Sequence, residues 1–332
     1  MIVGPAAFAP PAWLRNRHLQ SILPTSRLRR PWVVRRSRSL LDHSTAIVLD
    51  CGAGVRLSGF HARHADRPAP SAPRPLAVLL HGWEGSAQSL YVLSLGSHLF
   101  ALGYDVFRLN FRDHGGSHAL NRELFHSCRI EEVVGAVAAL RREHEGPLVV
   151  GGFSLGGNFA LRVAARAPAA GIDVQTAFAI CPVLSPHRAL EALERGWFVY
   201  RDYFIAKWRR SLLEKQRCFP DLYDLKDFMA LQSITAMTDC MVRRYSEFPD
   251  LDAYLTGYSL VTRALAGLQV RSHVLLAEDD PIIPVGDAPA LAAIPALSLT
   301  LSPLGGHCGF LGRFGEDSWV NGWVERALAA EP

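Results

Sequence analysis

The chain has 332 residues, of which 49% are hydrophobic and 20% charged, and its formal net charge is +4. This composition describes a soluble globular protein with a substantial core and excludes a disordered chain. The modest positive charge does not by itself indicate a nucleic-acid partner, and the length allows one large α/β domain or two smaller ones.

Six cysteines occur at positions 51, 128, 181, 218, 240 and 308 without Cys-x-x-Cys spacing, so we predict reduced thiols rather than a disulfide framework. No metal-ligand spacing is present, and we expect neither a metal nor a cofactor. Residues 1–13 contain three prolines and no basic region, which is not typical of a signal peptide. No apolar run reaches the about 18 residues of a transmembrane helix. These features predict a cytoplasmic protein.

Residues 1–45 are rich in proline and arginine, and we expect a short helix and loops that pack on the main body as an N-terminal extension. One interpretation of the arginines is a solvated basic segment. The other is a surface that attracts anionic substrates or lipid headgroups, by transient contact with a membrane surface. The arginines concerned are Arg27, Arg29, Arg30, Arg35, Arg36 and Arg38.

An α/β pattern follows this extension. A hairpin is predicted by strands at residues 46–51 and 55–60 around Gly52-Ala53-Gly54. Strands then alternate with helices. The further strands are predicted at residues 76–80, 105–111, 147–151, 174–183, 270–277 and 297–301, and helices at 89–102, around 130–140, after 157, at 287–293 and at 318–330. The pattern predicts a doubly wound, mostly parallel sheet of eight strands.

The alternation stops between residues 184 and 268, where the sequence is helical in pattern and rich in aromatic residues. We predict a helical insertion, a cap or lid, between two parts of the core at residues 46–183 and 269–332. Most of its aromatic side chains are expected to form the core of the insertion, and others to line an apolar acyl pocket.

Residues 152–157, Gly-Phe-Ser-Leu-Gly-Gly, lie between an apolar strand and an amphipathic helix. The pattern Gly-x-Ser-x-Gly between a strand and a helix indicates a nucleophile elbow with Ser154 at its apex. The alternative is an ordinary glycine-rich turn. Because a lone serine is a poor nucleophile, the hypothesis requires a base and a carboxylate elsewhere in the chain.

Three carboxylates, Glu278, Asp279 and Asp280, follow the strand that ends at residue 277. Reactive groups in open α/β sheets lie at the carboxyl ends of strands. Asp280 is favoured because it precedes Pro281, which fixes the turn, and Asp279 is the reserve candidate. The alternative is a solvated turn that caps the next helix.

His307 follows the last strand within a glycine-rich loop. The order Ser154, Asp280, His307 matches the order expected for this kind of fold, and the backbone N–H groups of Trp83 and Leu155 are the predicted oxyanion donors. His81, beside the oxyanion loop, is a competing base for which a structural role is favoured. A metal site at Asp113, His114 and His118 is disfavoured because further ligands with suitable spacing are lacking.

The chain resembles the α/β-hydrolase superfamily, and more narrowly the YheT-like hydrolases, relatives of the mammalian abhydrolase-domain 1/2/3 group. The resemblance covers nearly the whole chain, including residues 254–259 of the insertion, with a small departure at His114. It rests on residues 13–24 (Trp-Leu-Arg-Asn-Arg-His-Leu-Gln-Ser-Ile-Leu-Pro), 81–85 (His-Gly-Trp-Glu-Gly), 111–117, 125–127, 152–158, 279–281 and 305–310. It implies a triad of Ser154, Asp280 and His307 and hydrolysis of carboxylic esters.

The first hypothesis is therefore a serine esterase that cleaves short- to medium-chain acyl or lipid-like esters through an acyl-enzyme. The second is an aminopeptidase or acyltransferase with the same triad. An aminopeptidase needs an acidic group to hold the substrate's amino group, for which Glu84, Glu194 and Asp202 are candidates. The third is a hydrolase-like binding protein without catalysis. The expected partner is a small-molecule ester, and no nucleic acid is expected.

Overall fold

The computed structural model describes residues 2–3, 8–64 and 73–329. Most of the predicted loop between residues 64 and 75 lies outside these ranges, as do residue 330 of the predicted C-terminal helix and part of the segment considered as a signal peptide.

A single mixed sheet forms the centre of the protein, with the strand order β1-β9-β8-β7-β6-β4-β5-β3-β2. Its strands are β1 (Ile2–Val3), β2 (Ser44–Asp50), β3 (Arg56–Ala62), β4 (Leu76–Leu80), β5 (Asp105–Leu109), β6 (Leu148–Phe153), β7 (Thr176–Ile180), β8 (Arg271–Ala277) and β9 (Leu297–Ser302). Strands β4 to β9 pair in parallel, whereas β2 and β3 form an antiparallel edge. The predicted α/β class with a mostly parallel sheet is confirmed.

All eight predicted strands are present, and β1 adds a two-residue strand that the sequence analysis did not predict. It pairs with β9 in parallel through Ile2–Leu299 and Val3–Thr300. Such a short edge strand depends on the strand beside it, because two residues carry no periodic pattern. The central strands β4 and β6 are buried along their whole length, which accounts for their continuous apolar sequences.

Helices cover the sheet. In chain order they are α1 (Arg17–Ile22), α2 (Arg30–Arg36), α3 (Arg38–Asp42), α4 (Leu90–Ala101), α5 (Ile130–Glu143), α6 (Leu155–Arg166), α7 (Pro186–Arg195), α8 (Phe198–Cys218), α9 (Lys226–Ala230), α10 (Ile234–Tyr245), α11 (Leu251–Gly257), α12 (Ala288–Ala292) and α13 (Val320–Ala329). Within the described ranges, none of the helices is both long and apolar enough to cross a membrane. All six cysteines are free, as predicted.

The N-terminal extension contains more helix than the single short helix predicted for it. Three α-helices alternate with 3-10 turns between residues 12 and 42. The Asn16 side chain accepts hydrogen bonds from the N–H groups of His18 and Leu19 and caps α1, while Pro31 lies in the first turn of α2. A side-chain cap and a first-turn proline thus favour the start of helices that are too short to show a clear apolar periodicity.

Helices α7 to α11 lie between β7 and β8, within the segment predicted as an insertion. The long helix α8 contacts the loop after β4, because the rings of Phe204 and Trp208 pack on Trp83 with centroid distances of 5.0 and 5.2 Å. Helix α8 therefore lies at the carboxyl end of β4. The division of the chain into extension, core and lid stays a prediction.

Candidate active site

Ser154 occupies a sharp turn between β6 and α6, with φ 53° and ψ −120°. A Cβ atom on Gly152 would lie 2.5 Å from the Gly156 backbone, and one on Gly156 would collide with the Leu80 carbonyl. Only glycine at these two positions allows the strand and the helix to approach this closely, so the glycines determine the geometry of the turn. The Ser154 N–H donates to the Ile180 carbonyl at 2.8 Å, so the strained backbone is held by the neighbouring strand β7.

Two other side chains predicted for the site lie beside this serine. His307 Nε2 is 2.9 Å from Ser154 Oγ, and His307 Nδ1 is 2.8 Å from Asp280 Oδ2. The second carboxylate oxygen, Oδ1, accepts hydrogen bonds from the N–H groups of Ile282 and Ile283. The loops after β6, β8 and β9 thus bring together a hydroxyl, an imidazole and a buried carboxylate in one hydrogen-bonded chain.

Asp280 and the neighbouring Cys308 both favour a protonated His307. Burial alone would lower the pKa of His307, but the Asp280 carboxylate, with a further contribution from Cys308, holds that pKa well above its ordinary value. The Asp280 side chain is only 1% exposed, so water does not screen this interaction. A strongly basic imidazole hydrogen-bonded to a serine hydroxyl is suited to accept its proton.

Asp279, the reserve candidate, contacts a different part of the histidine loop. Its Oδ1 accepts a hydrogen bond from the Gly306 N–H at 2.9 Å. Its side chain therefore holds the backbone of the loop that carries His307, whereas Asp280 contacts the imidazole itself. The two adjacent carboxylates, which the sequence left as alternatives for one role, therefore make different contacts in the structure.

Helix α1 of the N-terminal extension packs directly against the histidine loop. The His307 N–H donates to Ser21 Oγ at 2.8 Å, and the buried Gln20 side chain exchanges hydrogen bonds with the Leu311 backbone. Cβ atoms on Gly306 and Gly309 would collide with the α1 backbone. No local sequence pattern indicates this role of Ser21, although residues 13–24 around it carry part of the family resemblance.

Near Ser154, the backbone N–H groups of Trp83 and Leu155 lack an acceptor among the described residues. By contrast, the N–H groups of the neighbouring Gly82 and Glu84 are bonded to Tyr91 and His114. Gly82 lies against the serine, since a Cβ atom there would be 3.3 Å from Ser154 Cβ. Unpaired N–H groups beside a serine hydroxyl can bind an anionic oxygen.

The serine is reached from two cavities, both lined by Ser154 and His307. A cleft of about 880 Å³ runs past Glu84, Tyr203 and Lys207, and its wall includes residues of the N-terminal extension. A second pocket of about 100 Å³ is mostly apolar. Its lining from α7, α8, α10 and α11 includes Leu193, Phe204, Trp208, Met241 and Leu255. The two cavities can therefore hold different parts of one substrate.

Of the three acidic candidates for binding an amino group, only Glu84 lines the cleft. Glu194 instead accepts hydrogen bonds from Ser233 and from the Thr235 N–H, and Asp202 is an exposed partner of Arg201. The Glu84 side chain is 8% exposed, and its Oε1 lies 4.0 Å from His114 Nε2, which is too far for a hydrogen bond. Burial raises the pKa of Glu84 to about 7.

The other histidines near the site have structural partners. His81 Nε2 accepts the Phe111 N–H, while its Nδ1 lies 2.7 Å from the Gly82 carbonyl oxygen. His114 likewise joins the Arg112 and Glu84 backbones, and His118 contacts Ser211. Among the described residues, no three or more His, Cys, Asp or Glu side chains form a group that could hold a metal ion.

Comparisons with known proteins agree with this architecture. A model of the α/β hydrolase fold family matches residues 75–314. The provisionally named esterase YheT of Escherichia coli strain K12 is 24% identical over 319 residues, covering 92% of this chain and 88% of that protein. Phospholipase ABHD3 of Mus musculus is 23% identical over 314 residues, covering 92% and 73%.

Solved structures support the same fold at lower sequence identity. An esterase of Pyrobaculum calidifontis superposes with a TM-score of 0.58 at 18% identity, covering 97% of this chain and 100% of that one. Est1E of Butyrivibrio proteoclasticus with bound ferulic acid gives a TM-score of 0.54 at 14% identity, covering 86% and 100%.

Proposed function

The chain belongs to the α/β hydrolase fold family, and from this premise we propose that it is a serine hydrolase that cleaves carboxylic esters through an acyl-enzyme. The observation that carries the proposal is the chain of contacts from Ser154 Oγ to His307 Nε2 at 2.9 Å and from His307 Nδ1 to Asp280 at 2.8 Å. A nucleophile with a base in hydrogen-bond contact, itself oriented by a carboxylate, is the arrangement that acyl transfer requires.

In the first half-reaction, Ser154 Oγ attacks the ester carbonyl carbon while His307 Nε2 takes the hydroxyl proton. The carbonyl π electrons move to the oxygen, and the N–H groups of Trp83 and Leu155 stabilise the resulting oxyanion. When the oxyanion collapses, the bond to the alcohol oxygen breaks and His307 donates its proton to the leaving alcohol. Asp280 keeps the imidazole oriented and stabilises its positive charge.

In the second half-reaction, water attacks the acyl carbon and His307 takes its proton. Collapse of the second tetrahedral intermediate breaks the bond to Ser154 Oγ, which regains a proton from His307. The products are the carboxylic acid and the free enzyme, so no cofactor enters the balance. The same groups act in both halves, in reverse order.

The two cavities suggest how the substrate is divided. The apolar pocket of about 100 Å³ is smaller than the cavity of about 150 Å³ that accommodates benzene, so we propose a short acyl chain there. The cleft of about 880 Å³ accommodates a much larger alcohol, including a lipid-like one. In this proposal residues 184–268 form a cap that shapes the acyl pocket and excludes water from it.

The decisive test replaces the nucleophile. We expect Ser154→Ala to lose p-nitrophenyl ester hydrolysis and labelling by a fluorophosphonate probe, while Ser86→Ala, which alters another serine of the cleft, keeps both. Circular dichroism checks that both variants are folded. Retained turnover by Ser154→Ala removes Ser154 from the mechanism. If the wild type neither hydrolyses esters nor takes the label, the hypothesis of a non-catalytic binding protein replaces this one.

The position of Glu84 favours an aminopeptidase as the second candidate function. A buried carboxylate that accepts no hydrogen bond from the described residues and lines the cleft that reaches Ser154 is suited to bind a substrate amino group, as an aminopeptidase requires. Comparing aminoacyl p-nitroanilides with matched acyl esters separates the two functions. Faster cleavage of the anilides, abolished by Glu84→Gln, would favour the aminopeptidase, whereas exclusive cleavage of the esters would favour the esterase.

Transfer of the acyl group to an added alcohol rather than to water would indicate an acyltransferase.

A further inference from the structure

We infer that the outward surface of the N-terminal helices is a docking surface for an anionic lipid bilayer. This surface, which we call the N-terminal face, consists of exposed apolar residues interleaved with exposed arginines. It comprises Trp13, Leu19, Ile22, Leu28 and Trp32 together with Arg15, Arg17, Arg27, Arg30 and Arg35.

The apolar members are unusually exposed for their size. Trp13 is 56% exposed, Leu19 39%, Ile22 36%, Leu28 70% and Trp32 48%. They lie within twenty consecutive positions, residues 13–32. Of the seven other exposed large apolar residues of the described chain, five lie at residues 197–222 and two, Val48 and Leu102, lie elsewhere. A concentration of exposed apolar side chains marks an interaction surface, and tryptophan is enriched at the interface between lipid and water.

The charge of the same segment is entirely positive. Residues 13–36 contain seven arginines and no aspartate or glutamate. Only two of the seven are engaged with the core near residues 314–317: buried Arg29 donates to the Phe314 and Glu316 carbonyls, and Arg36 lies 3.6 Å from Asp317. The remaining five make no contact with a carboxylate in the described chain, so their charges are free to attract anionic headgroups.

The inner side of the segment is packed, which fixes the outer side toward solvent. On the helices and turns between residues 12 and 29, the buried residues are Leu14, Gln20, Pro24 and Arg29. Exposed cations and tryptophans on short helices with a packed inner side are the composition of segments that lie in the membrane interface. We therefore commit to a bilayer rather than a protein as the partner.

The N-terminal face adjoins the mouth of the cleft. Ile22 and Arg30 belong to the face and also line the cleft that reaches Ser154. Next to it, the ring of Trp197 packs against His18 with a centroid distance of 4.8 Å, and Phe198 is 58% exposed. A bilayer docked here would lie beside the cleft, so a lipid-like alcohol could enter without crossing bulk water.

The test measures binding of the full-length protein to vesicles, without turnover. We expect flotation with phosphatidylglycerol-containing vesicles, weaker flotation with phosphatidylcholine vesicles, and loss of binding at high salt. Trp13→Gln/Leu28→Gln removes two apolar contacts, and we expect about tenfold weaker binding or more. The matched control is Val48→Gln/Leu102→Gln, which alters residues that are 52% and 45% exposed elsewhere.

A second pair of variants tests the charge. Arg15→Gln/Arg27→Gln is expected to weaken binding to anionic vesicles at low salt, while Arg142→Gln/Arg263→Gln, in exposed positions outside the face, leaves it unchanged. Hydrolysis of a soluble short-chain ester, or circular dichroism if there is none, checks folding. Failure of the wild type to float, or equal losses in the variants and their controls, overturns the inference. Self-association abolished by Trp13→Gln/Leu28→Gln in the absence of vesicles would assign the face to a second copy instead.

Discussion

The N–H of His307 donates a hydrogen bond to Ser21 Oγ, 2.8 Å away, across 286 positions of sequence. Ser21 in turn donates to the Arg17 carbonyl within α1, so its hydroxyl is fixed by its own helix. The N-terminal extension is therefore part of the support of the candidate base, not an appendage of the core.

We predict that Ser21→Ala lowers kcat with little change in KM. One lost hydrogen bond is worth about 1 kcal/mol, so a roughly fivefold to tenfold decrease is expected if it acts through the position of His307. Ser26→Ala, which removes a capping hydroxyl from the same segment, is the control. Recovery of kcat by Ser21→Thr, which keeps the acceptor, would support positioning. An unchanged kcat in Ser21→Ala would show that the loop holds His307 by other contacts.

The packing of the histidine loop on α1 predicts a steric effect. A Cβ atom on Gly309 would collide with the Gln20 carbonyl, whereas one on Gly315 would meet nothing within 4 Å. We expect Gly309→Ala to reduce the free energy of unfolding by about 1–3 kcal/mol, the usual cost of overpacking. Gly315→Ala is expected to be close to neutral. Urea denaturation of both variants measures the difference, and equal stability would mean that loop and helix can move apart freely.

The residues of the candidate site could be predicted from the sequence, whereas the contacts that hold them in place could not. Ser154, Asp280 and His307 each follow a strand in an identifiable local pattern, and the structure brings them together. The contact between Ser21 and His307 has no local pattern, because it joins a short helix and a loop that only the folded chain makes neighbours. The number of N-terminal helices was underestimated for a related reason: helices of five to seven residues are defined by their caps and packing rather than by periodicity.

The pH dependence of kcat/KM tests the different roles assigned to Asp280 and Asp279. Because the Asp280 carboxylate raises the pKa of His307, the base becomes active only as pH rises through that raised pKa. In Asp280→Asn the pKa falls, so the acidic limb of the kcat/KM profile is expected to move to lower pH. The plateau should fall by about a thousandfold or more, as in other triads.

Asp279→Asn is the matched control for that experiment. An asparagine oxygen can still accept the Gly306 N–H, so we expect near-normal activity and an unshifted profile. Asp279→Ala removes the acceptor and is expected to lower kcat by loosening the loop. If Asp279→Asn were as inactive as Asp280→Asn, the assignment of separate roles to the two carboxylates would be wrong.

The size of the apolar pocket predicts chain-length selectivity. Leu193 lines this pocket from α7, and Leu193→Ala enlarges it. We expect kcat/KM over a series of p-nitrophenyl esters to peak at a short acyl chain in the wild type and at a longer chain in the variant. Leu213→Ala, at a residue of α8 that is 43% exposed, should leave the optimum unchanged. A wild-type optimum at long chains would place the acyl group in the larger cleft instead.

The last prediction concerns the attachment of α8. Lys215 is fully buried, its ammonium lies 2.7 Å from Asp113 Oδ1, and it also donates to the His118, Asn121 and Glu123 carbonyls. Lys215→Met leaves Asp113 charged and unpaired in the interior, so we expect a loss of about 3–5 kcal/mol in the free energy of unfolding.

Lys226→Met, at an exposed lysine of the same segment, is the stability control and is expected to change little. Adding Asp113→Asn to Lys215→Met removes the unpaired charge and should recover part of the loss, which a double-mutant cycle measures. Strictly additive losses would mean that the two side chains are not energetically coupled. Phe204 and Trp208 of the same helix pack on Trp83, whose N–H is a proposed oxyanion donor. The Lys215 variant should therefore also show a lower kcat, because a loosened α8 would no longer hold Trp83 in place.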